Sequence, residues 1–142
     1  MIREITEKDF SRVAELLHQL WPDKQMDYEE MRKVVKKYIK DSNYHIYGYE
    51  DKGVLVGLVT VSFRWAVFYD GKVATIEELV VDQDYQGKGI GKALVKFVED
   101  KIIRPGKARG IELSSDFRRK ESHIFWERLG YPKSAYHFRR KL

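Results

Sequence analysis

Ala74-Thr75-Ile76-Glu77-Glu78-Leu79-Val80-Val81, then Asp82-Gln83-Asp84-Tyr85, then Gln86-Gly87-Lys88-Gly89-Ile90-Gly91, then Lys92-Ala93-Leu94-Val95-Lys96-Phe97-Val98-Glu99: this stretch decides the fold. Its first part is β-branched and apolar and reads as a strand. Its last part carries apolar residues at helical spacing and reads as an amphipathic helix. Three glycines lie between them, at Gly87, Gly89 and Gly91. A glycine-rich turn at a helix N-terminus exposes unpaired backbone N–H groups, and the helix dipole adds to their attraction for an anion. Glycine also lets the main chain approach a phosphate with no Cβ in the way. The plainer alternative is an ordinary tight strand-to-helix turn.

Two common nucleotide loops fail on their letters. The dinucleotide fingerprint requires G-x-G-x-x-G, and the glycines at 87, 89 and 91 have the wrong spacing. The P-loop requires G-x-x-x-x-G-K-[ST], and Ala93 stands where its hydroxyl should be. The pattern Q/R-x-x-G-x-G/A fits, with Gln86, Gly89 and Gly91. On this loop the chain resembles the GCN5-related N-acetyltransferases (GNAT). The strand Ile76 to Val81, the bend at 82–85 and the helix from Ile90 stand in that family's order. Ser122-His123-Ile124-Phe125-Trp126-Glu127-Arg128-Leu129-Gly130-Tyr131 is similar to its last helix and Gly-aromatic ending. The resemblance implies an α/β fold with a central mixed, mostly antiparallel sheet, splayed at the cofactor site and flanked by about four helices.

The remaining elements follow from periodicity. Met1 to Ile5 reads as a strand, and Thr6-Glu7-Lys8-Asp9 as a helix start with a capping pair. Phe10, Val13, Leu16, Leu17 and Leu20 make a helical stripe ending at Trp21-Pro22. Asp27 caps a second helix whose stripe is Met31, Val34, Val35, Tyr38 and Ile39. Tyr44 to Glu50 and Val54 to Phe63 form a hairpin about Asp51-Lys52-Gly53, and a second turn precedes the strand Val73 to Val81. Arg104-Pro105-Gly106 breaks the chain, Gly110 to Ser114 forms a short strand, Glu121 to Leu129 a helix and Ser134 to Arg140 a last strand. No linker or repeat divides residues 1–142, so one domain is expected.

Composition narrows the function classes. The chain has 142 residues, 43% hydrophobic and 35% charged, which suits a globular domain with a real core. It has no cysteine, which excludes disulfides and thiol nucleophiles. The first residues lack an apolar signal segment, and no apolar run reaches membrane-spanning length, so a cytoplasmic protein without membrane contact is expected. The net charge of +5 comes from dispersed basic residues that read as solvated faces, not as a nucleic-acid footprint. The histidines lack metal-ligand spacing, and no metal is expected. The candidate partners are a small-molecule amine and a second copy of the chain.

The resemblance implies that acetyl-CoA is the cosubstrate. Its pyrophosphate would sit on Gln86, Gly87, Lys88, Gly89, Ile90, Gly91 and Lys92. Its pantetheine arm would run along Leu79, Val80 and Val81, one of whose N–H groups would meet the acetyl oxygen. A protonated amine must lose a proton before it attacks, and carboxylates serve that need. Glu77, Glu78 and Asp116 are the candidates. Strand alternation predicts that only one of Glu77 and Glu78 faces the acceptor. The family's last helix usually supplies a tyrosine to protonate the leaving thiolate. Trp126 stands at that position, and an indole is a donor only. His123 and Trp126 are candidate substrate residues, as is Trp21, for which packing in the core is the competing reading. Two acceptor classes fit: an aminoglycoside 6'-amine, through Leu20-Trp21-Pro22-Asp23, Glu77 and Ser114-Ser115-Asp116, and an aminoalkylphosphonate, through Glu78-Leu79-Val80-Val81, Glu112-Leu113-Ser114 and the tail from Tyr131 to Leu142. In the second, Arg64, Arg118 or Arg119 would meet the phosphonate. A non-catalytic acyl-CoA sensor or interaction module is the reading from another class.

Overall fold

A computed structural model describes residues 1–142. The chain divides into two compact units, Met1–Glu112 and Leu113–Leu142. The first holds a five-stranded sheet in the order β1-β2-β3-β4-β5: β1 is Ile2–Glu4, β2 Tyr44–Asp51, β3 Val54–Ala66, β4 Gly71–Val81 and β5 Ile111–Glu112. The first four strands pair antiparallel in sequence order, and β5 pairs parallel to β4. Three of the four α-helices lie in this unit: α1 (Phe10–Leu20), α2 (Tyr28–Lys40) and α3 (Ile90–Val98). This is the mixed, mostly antiparallel sheet with four helices that the resemblance implied.

Local chemistry sets the helix limits. The Thr6 N–H donates to Asp9 Oδ2 at 2.9 Å, which starts the turn leading into α1. Asp27 Oδ1 accepts the Glu30 N–H at 3.1 Å and caps α2. Phe10, Val13, Leu16 and Leu17 of α1 and Val35 of α2 are buried with Ile46, Leu58 and Val80 of the sheet in one apolar cluster. Val34 departs from the expected stripe: it is 53% exposed, because that helix buries a narrower face at this turn. α3 buries Ile90, Leu94, Val95 and Val98, then passes into a π-helical turn at Glu99–Ile103 before the Arg104-Pro105-Gly106 break.

Two expected strands are corrected. The expected strand Gly110 to Ser114 shrinks to Ile111–Glu112. Ser134 to Arg140 forms no strand: residues 131–142 have no regular structure, and all but Tyr131 are exposed. Tyr136 and Phe138 alternate with polar neighbours as a strand would, but both are about nine-tenths exposed, so no apolar face is being buried to hold a pairing register. The second unit contains α4, Lys120–Arg128.

α3 packs closely over the sheet at Gly57. A Cβ there would lie 3.0 Å from Ile90 Cγ2 and 3.0 Å from Leu94 Cδ1. Gly57→Ala is therefore expected to destabilise the protein by about 1–3 kcal/mol, as overpacked cores do. Denaturant unfolding checks this, and an unchanged midpoint would mean that α3 is free to retreat.

Candidate active site

β4 is paired with β3 along its length, but on its other side only Ala74 and Thr75 have a strand partner, Ile111 and Glu112. From Ile76 to Val81 that side has no strand partner, which leaves main-chain donors and acceptors for an extended ligand. Val80 is buried, while Leu79 and Val81 are partly covered.

The same stretch contains a β-bulge. Thr60 pairs with Glu78 and Val61 with Ile76, so Glu77 is an extra residue in β4. Thr60 and Ser62 lie two apart on a regular part of β3 and therefore share a face. Ser62 Oγ donates to Glu77 Oε1 at 3.1 Å, and Thr60 Oγ1 donates to Glu78 Oε1 at 2.5 Å. Both carboxylates thus reach the same face of the sheet. The strict alternation assumed for this pair does not hold, and the cause is the inserted residue, which resets it.

The two carboxylates differ in setting. Glu77 is exposed, and Glu78 is largely withdrawn from solvent. Burial pushes the Glu78 carboxyl above its ordinary value, the Thr60 hydroxyl partly offsets this, and the charge of Glu77 adds to it. Thr60 Oγ1 also accepts the Glu78 N–H at 2.9 Å, so one hydroxyl fixes both the backbone and the side chain of Glu78. Tyr38 of α2 belongs to this group: burial raises its phenol, and the charges of Glu78 and Glu77 raise it further. Its ring meets Tyr44 edge-on at 4.9 Å. Neither Thr60 nor Tyr38 was singled out as a site residue from sequence. The Thr60-x-Ser62 alternation is the available signal, and it acquires meaning only once the bulge sets the register.

The glycine loop follows β4. Gly87 and Gly89 both have φ of +80°, a conformation that glycine adopts readily. A Cβ on either would meet nothing within 4 Å, so the demand there is conformational. Gly89 is the N-cap of α3, and no side chain caps that helix. The first N–H groups of α3 therefore remain available to an anion. Gly91 is partly covered, and Ile90 anchors the helix in the core. Lys88 and Lys92 are exposed, and Lys88 Nζ lies 4.9 Å from the Tyr85 ring centre. Gln86 Nε2 donates to the Val81 carbonyl at 3.2 Å, so this side chain braces the loop against the end of β4.

Asp82 opens the loop and is only 7% exposed. Its Oδ1 accepts the Asp84 N–H at 2.9 Å, and its Oδ2 accepts Arg12 Nη2 at 2.6 Å and Gln19 Nε2 at 3.3 Å. The Asp84 N–H and the Arg12 guanidinium hold its carboxyl below the usual carboxylate range.

The other candidates have partners of their own. Trp21 is partly buried and packs with Leu20, Met26 and Met31 against the core, which supports the packing reading. Arg64 pairs with Glu112 at 3.0 Å. In the second unit Arg118 forks onto Asp116, with Nε at 3.0 Å from Oδ1 and Nη2 at 2.8 Å from Oδ2. That pairing drives the Asp116 carboxyl well below its ordinary range and makes it a poor proton acceptor. His123 Nε2 lies 2.8 Å from the Asp116 carbonyl, and its Nδ1 is buried without a hydrogen-bond partner. Trp126 is buried and meets Phe125 and Tyr131 edge-on, with ring centres at 5.1 and 5.4 Å. No helix is long and apolar enough to cross a membrane.

Comparison with known proteins agrees with this geometry. The acetyltransferase (GNAT) family model matches residues 2–131. Over 141 residues the chain is 28% identical to the aminoalkylphosphonate N-acetyltransferase of Salmonella typhimurium, covering 99% of this chain and 90% of that one. It is 30% identical over 138 residues to an uncharacterised N-acetyltransferase of Methanocaldococcus jannaschii, covering 92% of this chain and 59% of that one. A crystal structure described as a transcriptional regulator from Bacillus halodurans superposes with a TM-score of 0.90 at 26% identity, covering 100% of this chain and 99% of that one. The open β4 edge, the uncapped helix behind a glycine loop and the match along nearly the whole chain lead to one conclusion: the protein belongs to the acetyltransferase (GNAT) family and is an acetyl-transfer enzyme.

Proposed function

We propose that this enzyme moves the acetyl group of acetyl-CoA to the primary amine of a small molecule by direct attack, with Glu78 as the general base. The observation that carries the reading is the bulge, which holds a carboxylate of raised proton affinity on the strand whose open edge would carry the thioester. A base whose pKa is shifted toward neutrality takes up a proton more effectively than an ordinary carboxylate. Asp116 is shifted the other way.

In this mechanism the glycine loop holds the pyrophosphate through main-chain N–H groups, and the pantetheine arm adds to the edge of β4. A β4 N–H near Leu79 donates to the thioester oxygen and stabilises its developing negative charge. Glu78 takes a proton from the ammonium, the neutral nitrogen bonds to the carbonyl carbon, and the second proton it then loses passes to water. The carbon–sulfur bond breaks, and the departing thiolate takes a proton from water. Glu77, beside Glu78 and exposed, attracts the incoming ammonium. Of the two acceptor classes, the aminoalkylphosphonates are favoured by the likeness to the Salmonella enzyme over nearly the whole chain.

The test is free-thiol release from acetyl-CoA with a panel containing an aminoalkylphosphonate, an aminoglycoside and a simple diamine. Thiol release above background with one of them supports the reading. A chain that binds acetyl-CoA and releases no thiol with any amine would overturn it in favour of a sensor. Gly89→Asp sets a carboxylate against the pyrophosphate and forces a side chain into a φ of +80°, so acetyl-CoA affinity measured by calorimetry is expected to fall steeply.

Glu78→Gln is expected to lower kcat by about 10²-fold while acetyl-CoA still binds, whereas Asp116→Asn keeps the wild-type rate. The same variant should be more stable than wild type at neutral pH. The folded-state pKa of Glu78 is raised, so between its unfolded and folded values the native state binds more protons than the unfolded one. Stability therefore falls as pH rises through that window, and glutamine removes the penalty. Thermal melts should show the gain at neutral pH and its disappearance below the ordinary glutamate range.

Thr60→Val removes a donor that favours the charged form of Glu78. The acid limb of kcat/KM against pH is then expected to move to higher pH. A limb that stays in place in this variant would assign the base elsewhere.

A further inference from the structure

Two side chains of α1 reach across to the first residues of the glycine loop. Arg12 and Gln19 lie seven apart, about two helical turns, and therefore share one face. Arg12 bridges β3 and the residue after β4: its Nε donates to the Leu55 carbonyl at 2.8 Å and its Nη2 to Asp82 Oδ2 at 2.6 Å. Gln19 makes a paired contact, with Nε2 donating to Asp82 Oδ2 at 3.3 Å and Oε1 accepting the Gln83 N–H at 3.0 Å. The Asp82 N–H adds a bond to the Val56 carbonyl at 2.8 Å. All of these bonds but the one from Arg12 to Leu55 end on Asp82 or Gln83, the point where β4 turns into the loop.

Past that point the loop has little of its own to hold it. The Tyr85 N–H returns to the Asp82 carbonyl at 2.8 Å, and Gln86 Nε2 returns to Val81. Gly87 and Gly89 sit in open space. The next firm contact is Ile90, 6% exposed and packed over Gly57. The loop is thus suspended between two anchors, one made by α1 and one by α3.

We propose that Arg12 and Gln19 are positioning residues for the cofactor loop, holding its entry so that the N–H groups near Gly89 are aimed before the cofactor arrives. The proposal rests on the reading that this loop binds the pyrophosphate. Neither residue touches the cofactor; each acts through Asp82 and Gln83. Main-chain donors hold an anion tightly only when their directions are fixed in advance, because ordering a loop on binding subtracts from affinity. The buried Asp82 carboxylate gives this anchor its rigidity. A salt bridge of this kind adds little net stability but holds one geometry when fully hydrogen-bonded.

The experiment measures the dissociation constant of coenzyme A by calorimetry, together with the KM values for acetyl-CoA and for an amine acceptor, in Gln19→Met, Arg12→Met and Arg12→Lys. Gln19 is half-buried on a helix, and methionine keeps its length and helix propensity, so this variant is expected to fold. Gln19→Met and Arg12→Met should each weaken coenzyme A binding by about tenfold or more, a tenfold change corresponding to 1.4 kcal/mol. The KM for acetyl-CoA should rise with it, while the KM for the amine and kcat at saturation stay near wild type. Arg12→Lys keeps the charge on Asp82 but loses the second bond to Leu55, and it should recover part of the affinity. Backbone amides of residues 83–89 should exchange faster with solvent in both methionine variants. Wild-type coenzyme A affinity in folded Gln19→Met would overturn the proposal, as would an equal rise in both KM values. If Gly89→Asp also binds coenzyme A normally, the pyrophosphate reading has failed; if Gly89→Asp loses binding while Gln19→Met keeps it, the positioning role alone has failed.

Discussion

The β3–β4 ladder is the constraint on which the first unit depends. It sets the register that aligns Leu58 with Val80 in the core, and the same register opposes Thr60 to Glu78. The ladder continues past the point where β4 loses its other neighbour, so β4 is held firmly from one side while its other side stays open. A strand with a free edge is ordinarily a hazard, because any chain can pair with it. Here the bulge twists the strand locally, and two carboxylates lie beside the edge.

The site is expensive for the fold. Glu78 is withdrawn from water beside another carboxylate, and burial raises its proton affinity at the cost of native stability near neutral pH. Thr60 limits the cost with a single hydroxyl that serves both the backbone and the side chain. Asp82 shows the opposite design. It is among the few buried polar side chains, but the Asp84 N–H, Arg12 and Gln19 satisfy it, so its charged form is favoured. Two acids on either side of Val81 therefore behave differently because one has strong donors and the other has few.

Much of this was legible in the sequence, and the failures have physical causes. The α1 stripe and the Asp27 cap are local signals, and the structure follows them. The glycine loop is also local, since only glycine readily takes the conformation of Gly87 and Gly89. Non-local facts were hidden. Val34 sits in a helical pattern but faces solvent, because periodicity marks a stripe without its width. The bulge at Glu77 inverted the expected facing of two neighbours, and nothing in the letters Glu-Glu announces an inserted residue. The tail from Ser134 alternates like a strand yet has no sheet edge to join. Arg12 and Asp82 are 70 positions apart, so each reads alone as an ordinary surface charge.

The order of the strands also bears on how the molecule assembles. β1 to β4 are neighbours in space in the order in which they occur in the chain, so each new strand adds beside the one just formed. Such a meander closes mostly short loops, and short loops cost little entropy. β5 is different: it returns across the length of α3 to make a parallel pairing only two residues long. Its contribution to the ladder is the smallest, two residue pairs against three for β1, although the chain between β1 and β2 is the longer connection. So short a pairing makes β5 the strand expected to come away first in local opening, which would lengthen the unpaired side of β4.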